Sequence, residues 1–177
     1  MKNYLMIMAA GMLVTFAACN NEKKNGENKT SESKTNPVIE KNLEAVHNIN
    51  KFFQTGDVSL IEKSIAIGAI DHAAPGGNLV ASNMDSVKAY FVKMRNGFDI
   101  GKMEVVKEWA DEEYVVQWAK FSGTSKDAAT GIAPGQKIED AYDLHISRLK
   151  DGKTVEHWEF MQPGDIAKMM GGPQPVK

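Results

Sequence analysis

Asp151-Gly152 constrains this chain more than any other pair of residues. It stands between two strand-like runs, Lys137 to Leu149 and Thr154 to Met161. An Asp-Gly pair in that setting reads as a two-residue hairpin turn, whose central residues both need positive φ. Such a turn sets the register, and the register sets which face each side chain takes. Lys150 is then expected to pair with Lys153, His145 with Trp158, and Asp143 with Phe160. Alternation puts Asp143, His145, Ser147, Glu156, Trp158 and Phe160 on one side of the sheet. Tyr142, Leu144, Ile146 and His157 take the other, more apolar side, which suits a dimer interface. A loop of odd length would bring His157 in where Trp158 stands.

The residues before the hairpin supply what it packs against. Asn36-Pro37 is a helix start, a capping side chain followed by proline at the first helical position. Ile39, Leu43, Val46, Asn50 and Phe53 recur at helical spacing, and Gly56-Asp57 ends the run. A short second helix carries Leu60, Ile61 and Ile65. Residues 71–82, with Pro75-Gly76-Gly77, read as a loop. Asn83 caps a third helix with Val87, Tyr90, Phe91 and Met94 on its stripe, closed by Gly97. Beyond Phe98 the pattern turns to strands: Met103 to Trp109, a turn at Asp111-Glu112-Glu113, then Tyr114 to Gly123. Gly131 and Pro134-Gly135 mark a loop before the hairpin. Asp165 begins a helical tail that Gly171-Gly172-Pro173 stops. Helices followed by about four antiparallel strands predict an α+β fold. The curved sheet wraps the N-terminal helices as a cone, leaving a cavity for a small molecule.

The first residues bear on location. After Lys2, Leu5 to Ala18 carries no charge. At ~1.5 Å per helical residue that run is too short for a ~30 Å hydrocarbon core, and it fits a signal-peptide core. Phe16-Ala17-Ala18-Cys19 resembles a lipobox, so Cys19 is the expected lipidation site and lipid-anchored membrane partner. Asn20 to Asn36 has no apolar side chain and reads as a tether spanning roughly 20–25 Å. The boundaries are therefore 1–18 signal peptide, 19–36 lipidated cysteine and tether, 37–171 the folded domain, and 172–177 a tail. The expected location is the outer membrane or cell envelope, facing the periplasm or the outside. One cysteine in the chain excludes an intrachain disulfide, and a net charge of −2 with scattered Lys and Arg excludes a nucleic-acid face.

Residues 38–170 resemble the SnoaL-like polyketide cyclases of the nuclear transport factor 2-like superfamily. The sharpest stretch is Arg148-Leu149-Lys150-Asp151-Gly152-Lys153-Thr154-Val155-Glu156-His157-Trp158. Gly56-Asp57, Asp71-His72 before Pro75, and Gly123-Thr124 add to it. The resemblance implies a cone-shaped α+β barrel, commonly a homodimer, that needs no metal or organic cofactor. It implies an intramolecular aldol closure assisted by a pocket carboxylic acid three residues before the Arg. In this chain that position is His145, and Ser125 stands where many relatives carry histidine.

Asp143 beside His145 is a carboxylate beside an imidazole, a pair that can move a proton near neutrality. His72, on the loop after the second helix, is a candidate second donor at the cavity mouth. Trp158, Phe160 and His157 are candidate ligand contacts. No metal is expected, since His72, His145 and His157 lack ligand spacing, and no phosphate loop or nucleophile motif occurs. Two functions stay open: acid/base catalysis of cyclase, isomerase or aldol type on a small apolar or carbonyl compound, and non-catalytic binding of a small ligand.

Overall fold

The computed structural model describes residues 36–74, 77–127 and 132–170. The charge-free N-terminal run, Cys19 and the tether up to Thr35 lie outside the described residues. So do Pro75-Gly76, Gly131 and residues 171–177.

The first helix, α1 (Pro37–Thr55), starts where the Asn36 side chain accepts the Val38 N–H at 3.0 Å. It ends at Gly56, whose φ of 79° lets its N–H reach the Phe52 carbonyl at 2.7 Å. Its buried face is turned slightly from the Ile39–Leu43 stripe and holds Asn42, Ala45, Val46 and Phe52. Asn42 is tolerated there because its amide donates to the Glu112 carbonyl at 3.0 Å, tying the helix to a distant turn.

Beyond it come α2 (Ser59–Ser64), β1 (Ile65–Asp71), the short β2 (Leu79–Val80) and α3 (Met84–Gly97). Then follow β3 (Phe98–Ala110), β4 (Tyr114–Ser125), β5 (Lys137–Lys150), β6 (Lys153–Met161) and α4 (Pro163–Met169). The strands make one curved, open sheet in the order β2-β1-β6-β5-β4-β3. The expected α+β fold is what the chain adopts. Two details differ. Ile65 opens a strand and does not belong to the second helix, and β1 lies parallel to β6, so the sheet is mixed. A short apolar run such as Ile65–Ile70 is equally compatible with helix or strand, and its partner strand is decided by packing.

Phe52 and Ile61, both fully buried, centre a cluster with Leu60, Ile65, Ala69, Ala81 and Val87. Phe52 meets Phe53 and Phe91 edge-on at centroid distances of 5.3 and 6.0 Å. A second cluster, Ala45, Val46, Val115 and Leu149, fastens α1 to β4 and β5. A third gathers Ile132, Ile138 and Ala141 with Phe98, Phe121, Met161 and Met169. The helices and the sheet leave a cavity of about 640 Å³ between them.

The hairpin turn forms as expected. Asp151 and Gly152 have φ of 54° and 71°, and Lys150 pairs with Lys153. The register beyond it does not hold. Leu149 faces Thr154, but Arg148 faces Glu156, so Val155 is an extra residue, a β-bulge in β6. Ser147 therefore faces His157, Ile146 faces Trp158, His145 faces Glu159, Leu144 faces Phe160, and Asp143 faces Met161. Because the side-chain period is two, one inserted residue exchanges the faces of everything after it. His157, Glu159 and Met161 join Asp143, His145 and Ser147 on the cavity side. Trp158 and Phe160 turn to the outer face, which corrects their expected place on the cavity side. Phe160 is 55% exposed there. Arg148 and Glu156 meet as an ion pair on that outer face, which anchors the shifted register.

Candidate active site

Four side chains from three adjacent strands form a continuous chain in the cavity wall. On β5, Asp143 Oδ2 lies 3.0 Å from His145 Nε2. Across the ladder, His145 Nδ1 lies 3.3 Å from His157 Nε2. On the far side of β6, His157 Nδ1 lies 3.0 Å from Asp71 Oδ1. The parallel pairing that puts Asp71 opposite His157 makes the last contact possible.

The geometry limits which nitrogens can donate. An ionised carboxylate only accepts, so His145 Nε2 and His157 Nδ1 each carry a hydrogen donated outward. The remaining nitrogens face each other, and their contact is attractive only if one of them is protonated. A hydrogen on either of these nitrogens would bridge the 3.3 Å gap between the rings. Burial acts to lower the His145 pKa, but the hydrogen bond and charge of Asp143, with Glu159 and Asp71 behind it, outweigh this and raise it. For Asp71 burial acts upward, and the hydrogen bond and charge of His157 overcome it, so its carboxyl is held below the usual range.

Glu159 also lines the cavity, and burial pushes its carboxyl upward. The charges of Asp143 and Asp71 act in the same sense, while His145 and His157 oppose them. Tyr90, on α3, is pushed up to about 12, first by burial and then by Asp71 and Glu159. The rest of the wall is mostly apolar, including Ile49, Phe53, Phe91, Phe98, Phe121 and Met161, with Lys93 the one Lys or Arg among the described lining residues. Asp143 is 7% exposed, and its Oδ1 has no hydrogen-bond partner among the described residues. No group of three described His, Cys, Asp or Glu side chains is placed to hold a metal ion.

Of the candidates named from sequence, the fold brings Asp143, His145 and His157 together. His72 is elsewhere. Its ring stacks on Trp158 at 4.8 Å and 9°, and its Nε2 lies 3.5 Å from Glu156, so it sits on the outer face and not at the cavity mouth. His72 directly follows the cavity-lining Asp71, and alternation turns it to the opposite face. Cys19 lies outside the described residues. Sequence reasoning missed Asp71, Glu159 and Tyr90 as parts of the site. Asp71 had a signal, since Asp71-His72 is part of the family resemblance, but the neighbouring histidine drew the assignment.

The sequence matches the model of the SnoaL-like polyketide cyclases over residues 43–168. No curated protein matches it. A candidate SnoaL-like polyketide cyclase from Jannaschia sp. CCS1 superposes with a TM-score of 0.64 at 19% identity, covering 78% of this chain and 97% of its own. IdmH, a candidate polyketide cyclase from Streptomyces antibioticus, gives 0.56 at 21% identity over 73% of this chain and 95% of its own. An LEH-like epoxide hydrolase from M. tuberculosis gives 0.60 at 9% identity, covering 77% and 94%. At these identities the structures share the fold, and the site must be argued from its own residues.

Proposed function

The chain belongs to the SnoaL-like polyketide cyclase family, and on that premise we propose that it is a cofactor-independent acid–base catalyst of cyclase, isomerase or aldol type. Its substrate is a small, mostly apolar molecule with a carbonyl or ring. The observation that carries this is the Asp71–His157–His145–Asp143 chain in the wall of an apolar cavity. Each carboxylate can steady one outer N–H, and the two facing nitrogens, 3.3 Å apart, can exchange a proton as the rings approach. Screening ligands by thermal shift, then assaying each hit for conversion, tests the reading. His145→Asn and His157→Asn should each lower turnover by about 10²–10⁴ with ligand affinity kept. Hits that bind wild-type protein and are never converted would sink it.

A second reading, a non-catalytic binding module, is favoured by one observation. All four ring nitrogens of His145 and His157 are engaged within the chain, and none is free for a ligand.

We also propose that the domain is held at the cell envelope by lipidated Cys19 through the polar tether. The charge-free run ending in Ala17-Ala18-Cys19 supports this. Cys19→Ala should release the protein from membranes on fractionation. The outer face, with Trp109, Trp118 and Phe160 at 48%, 38% and 55% exposed, supports a homodimer through that face. Light scattering of Phe160→Glu should then report a monomer, and a wild-type monomer would refute it.

A further inference from the structure

The cavity wall carries a second polar point, built on a different set of elements from the histidine chain. Of the described lining residues that α1 supplies, Val46, Ile49 and Phe53 are apolar and Asn50 is polar. Asn50 Nδ2 donates to Gln117 Oε1 at 3.1 Å. Gln117, on β4 and 2% exposed, donates in turn from Nε2 to Glu108 Oε1 at 2.6 Å. Glu108, on β3, ends the row against the exposed His47, whose Nε2 lies 2.9 and 3.0 Å from the two carboxylate oxygens.

This row has a direction. The oxygen and nitrogen of an amide are told apart by the partners they bond. A carboxylate only accepts, so Gln117 turns its nitrogen to Glu108 and its oxygen to Asn50. Asn50 then turns its nitrogen to Gln117, and its oxygen is the end left over. Reversing either amide would set acceptor against acceptor. The Asn50 Oδ1 takes no hydrogen bond from a described residue, and it is not sealed away as the Oδ1 of Asp143 is. The row also stands beside the histidine chain. Gln117 faces His145 directly across the β4–β5 ladder, and both line the cavity. Side chains opposed in this way have Cβ atoms about 4.5–5.5 Å apart. Asn50 is thus one hydrogen bond away from the residue that flanks His145.

We propose that Asn50 is a specificity-determining residue whose Oδ1 accepts a hydrogen bond from a hydroxyl of the ligand, so that the cavity selects hydroxyl-bearing apolar molecules over their ethers. This rests on the reading of the cavity as the ligand site, and it adds a hydroxyl to the substrate described above. An asparagine with a free choice turns its amide to suit a donor or an acceptor. Here Gln117 and Glu108 forbid the turn, and they act as positioning residues. A ligand that fills the cavity without a donor displaces water and leaves the Asn50 oxygen unpaired, which costs more than an ordinary hydrogen bond contributes.

The test uses the full-length chain with 2-naphthol and 2-methoxynaphthalene, two neutral ring compounds of which only the first donates. Calorimetric titration of wild type should show the naphthol binding about three- to tenfold more tightly, the effect of one neutral hydrogen bond. Asn50→Leu should bind the two equally. Glu108 is not among the residues that line the cavity, so Glu108→Gln reads the same proposal without touching the ligand. Its amide donates as well as accepts, which frees Gln117 and then Asn50 to turn. The naphthol preference should therefore fall below about twofold, and the ether should bind more tightly than it does to wild type, since the Asn50 nitrogen can now face it. A merely structural role for Glu108 would weaken both ligands together. Equal binding of the two by wild type, a naphthol preference kept in either variant, affinities that fall together in Glu108→Gln, or no binding of either compound by wild type would each overturn the proposal. Turnover of screened hits by His145→Asn reads the acid–base function separately. A naphthol preference that depends on Asn50, with turnover unaffected by His145→Asn, would sink that function and leave Asn50 as the acceptor. Lost turnover with a preference indifferent to Asn50 would do the reverse.

Discussion

In a His157→Asn variant, Asp71 loses the imidazole held 3.0 Å from its carboxylate, and His145 loses its neighbour at 3.3 Å. Asp71 keeps only the Ala73 N–H at 3.0 Å. Burial would then raise its pKa without opposition from His157, whose hydrogen bond and charge hold it down in the wild type. A hydrogen bond to a charged group contributes about 1.5–3 kcal/mol. The two side chains are 26% and 25% exposed, so solvent screening removes only part of this. For a domain of this size, roughly 3–5 °C per kcal/mol gives a fall in Tm of about 5–12 °C. The sign of the pH dependence follows from Asp71. A carboxyl with a depressed folded pKa contributes stability that is complete above its unfolded value, about 3.9, and is lost as pH falls through the folded one. Urea unfolding of wild type and variant at neutral pH, at pH 5 and at pH 3 should therefore show the full difference at the first two and a smaller one at the third. A difference below about 0.5 kcal/mol at neutral pH, within the range of an ordinary surface substitution, would refute the chain as a stabilising unit. So would a difference of constant size at all three values, which would reflect lost packing alone.

Asp143→Asn should lower the His145 pKa below its wild-type value, because the charge that outweighs burial is gone. A histidine NMR titration checks this, and an unmoved pKa would mean that Asp143 is not the group that sets it. Gly123→Ala should destabilise the domain by about 1–3 kcal/mol, as overpacking does. A Cβ there would stand 2.4 Å from both the Asp99 carbonyl oxygen and the Phe98 ring. A thermal melt equal to wild type would show that β3 and β4 part freely at that point.

The features legible in the sequence are those whose hydrogen bonds close within a few residues. Asn36 and Asn83 cap α1 and α3, Gly56 ends α1 in the left-handed region, and Asp151-Gly152 turns the hairpin, all as their side chains dictate. The family resemblance is local too, since its densest run straddles that turn. Asp143 and His145 were also placed correctly on the cavity face, because they share a strand with no irregularity between them. What lies across a strand boundary was beyond sequence. Asp71 and His157 are 86 positions apart, and only the parallel pairing of β1 with β6 joins them. Glu159 reached the cavity, and Trp158 and Phe160 left it, because Val155 is an extra residue in β6. Residue types thus determined that this chain carries carboxylates and imidazoles on strands beside an apolar interior. Which of them meet was decided by the tertiary structure, since a side-chain period of two lets one bulge reverse every face beyond it.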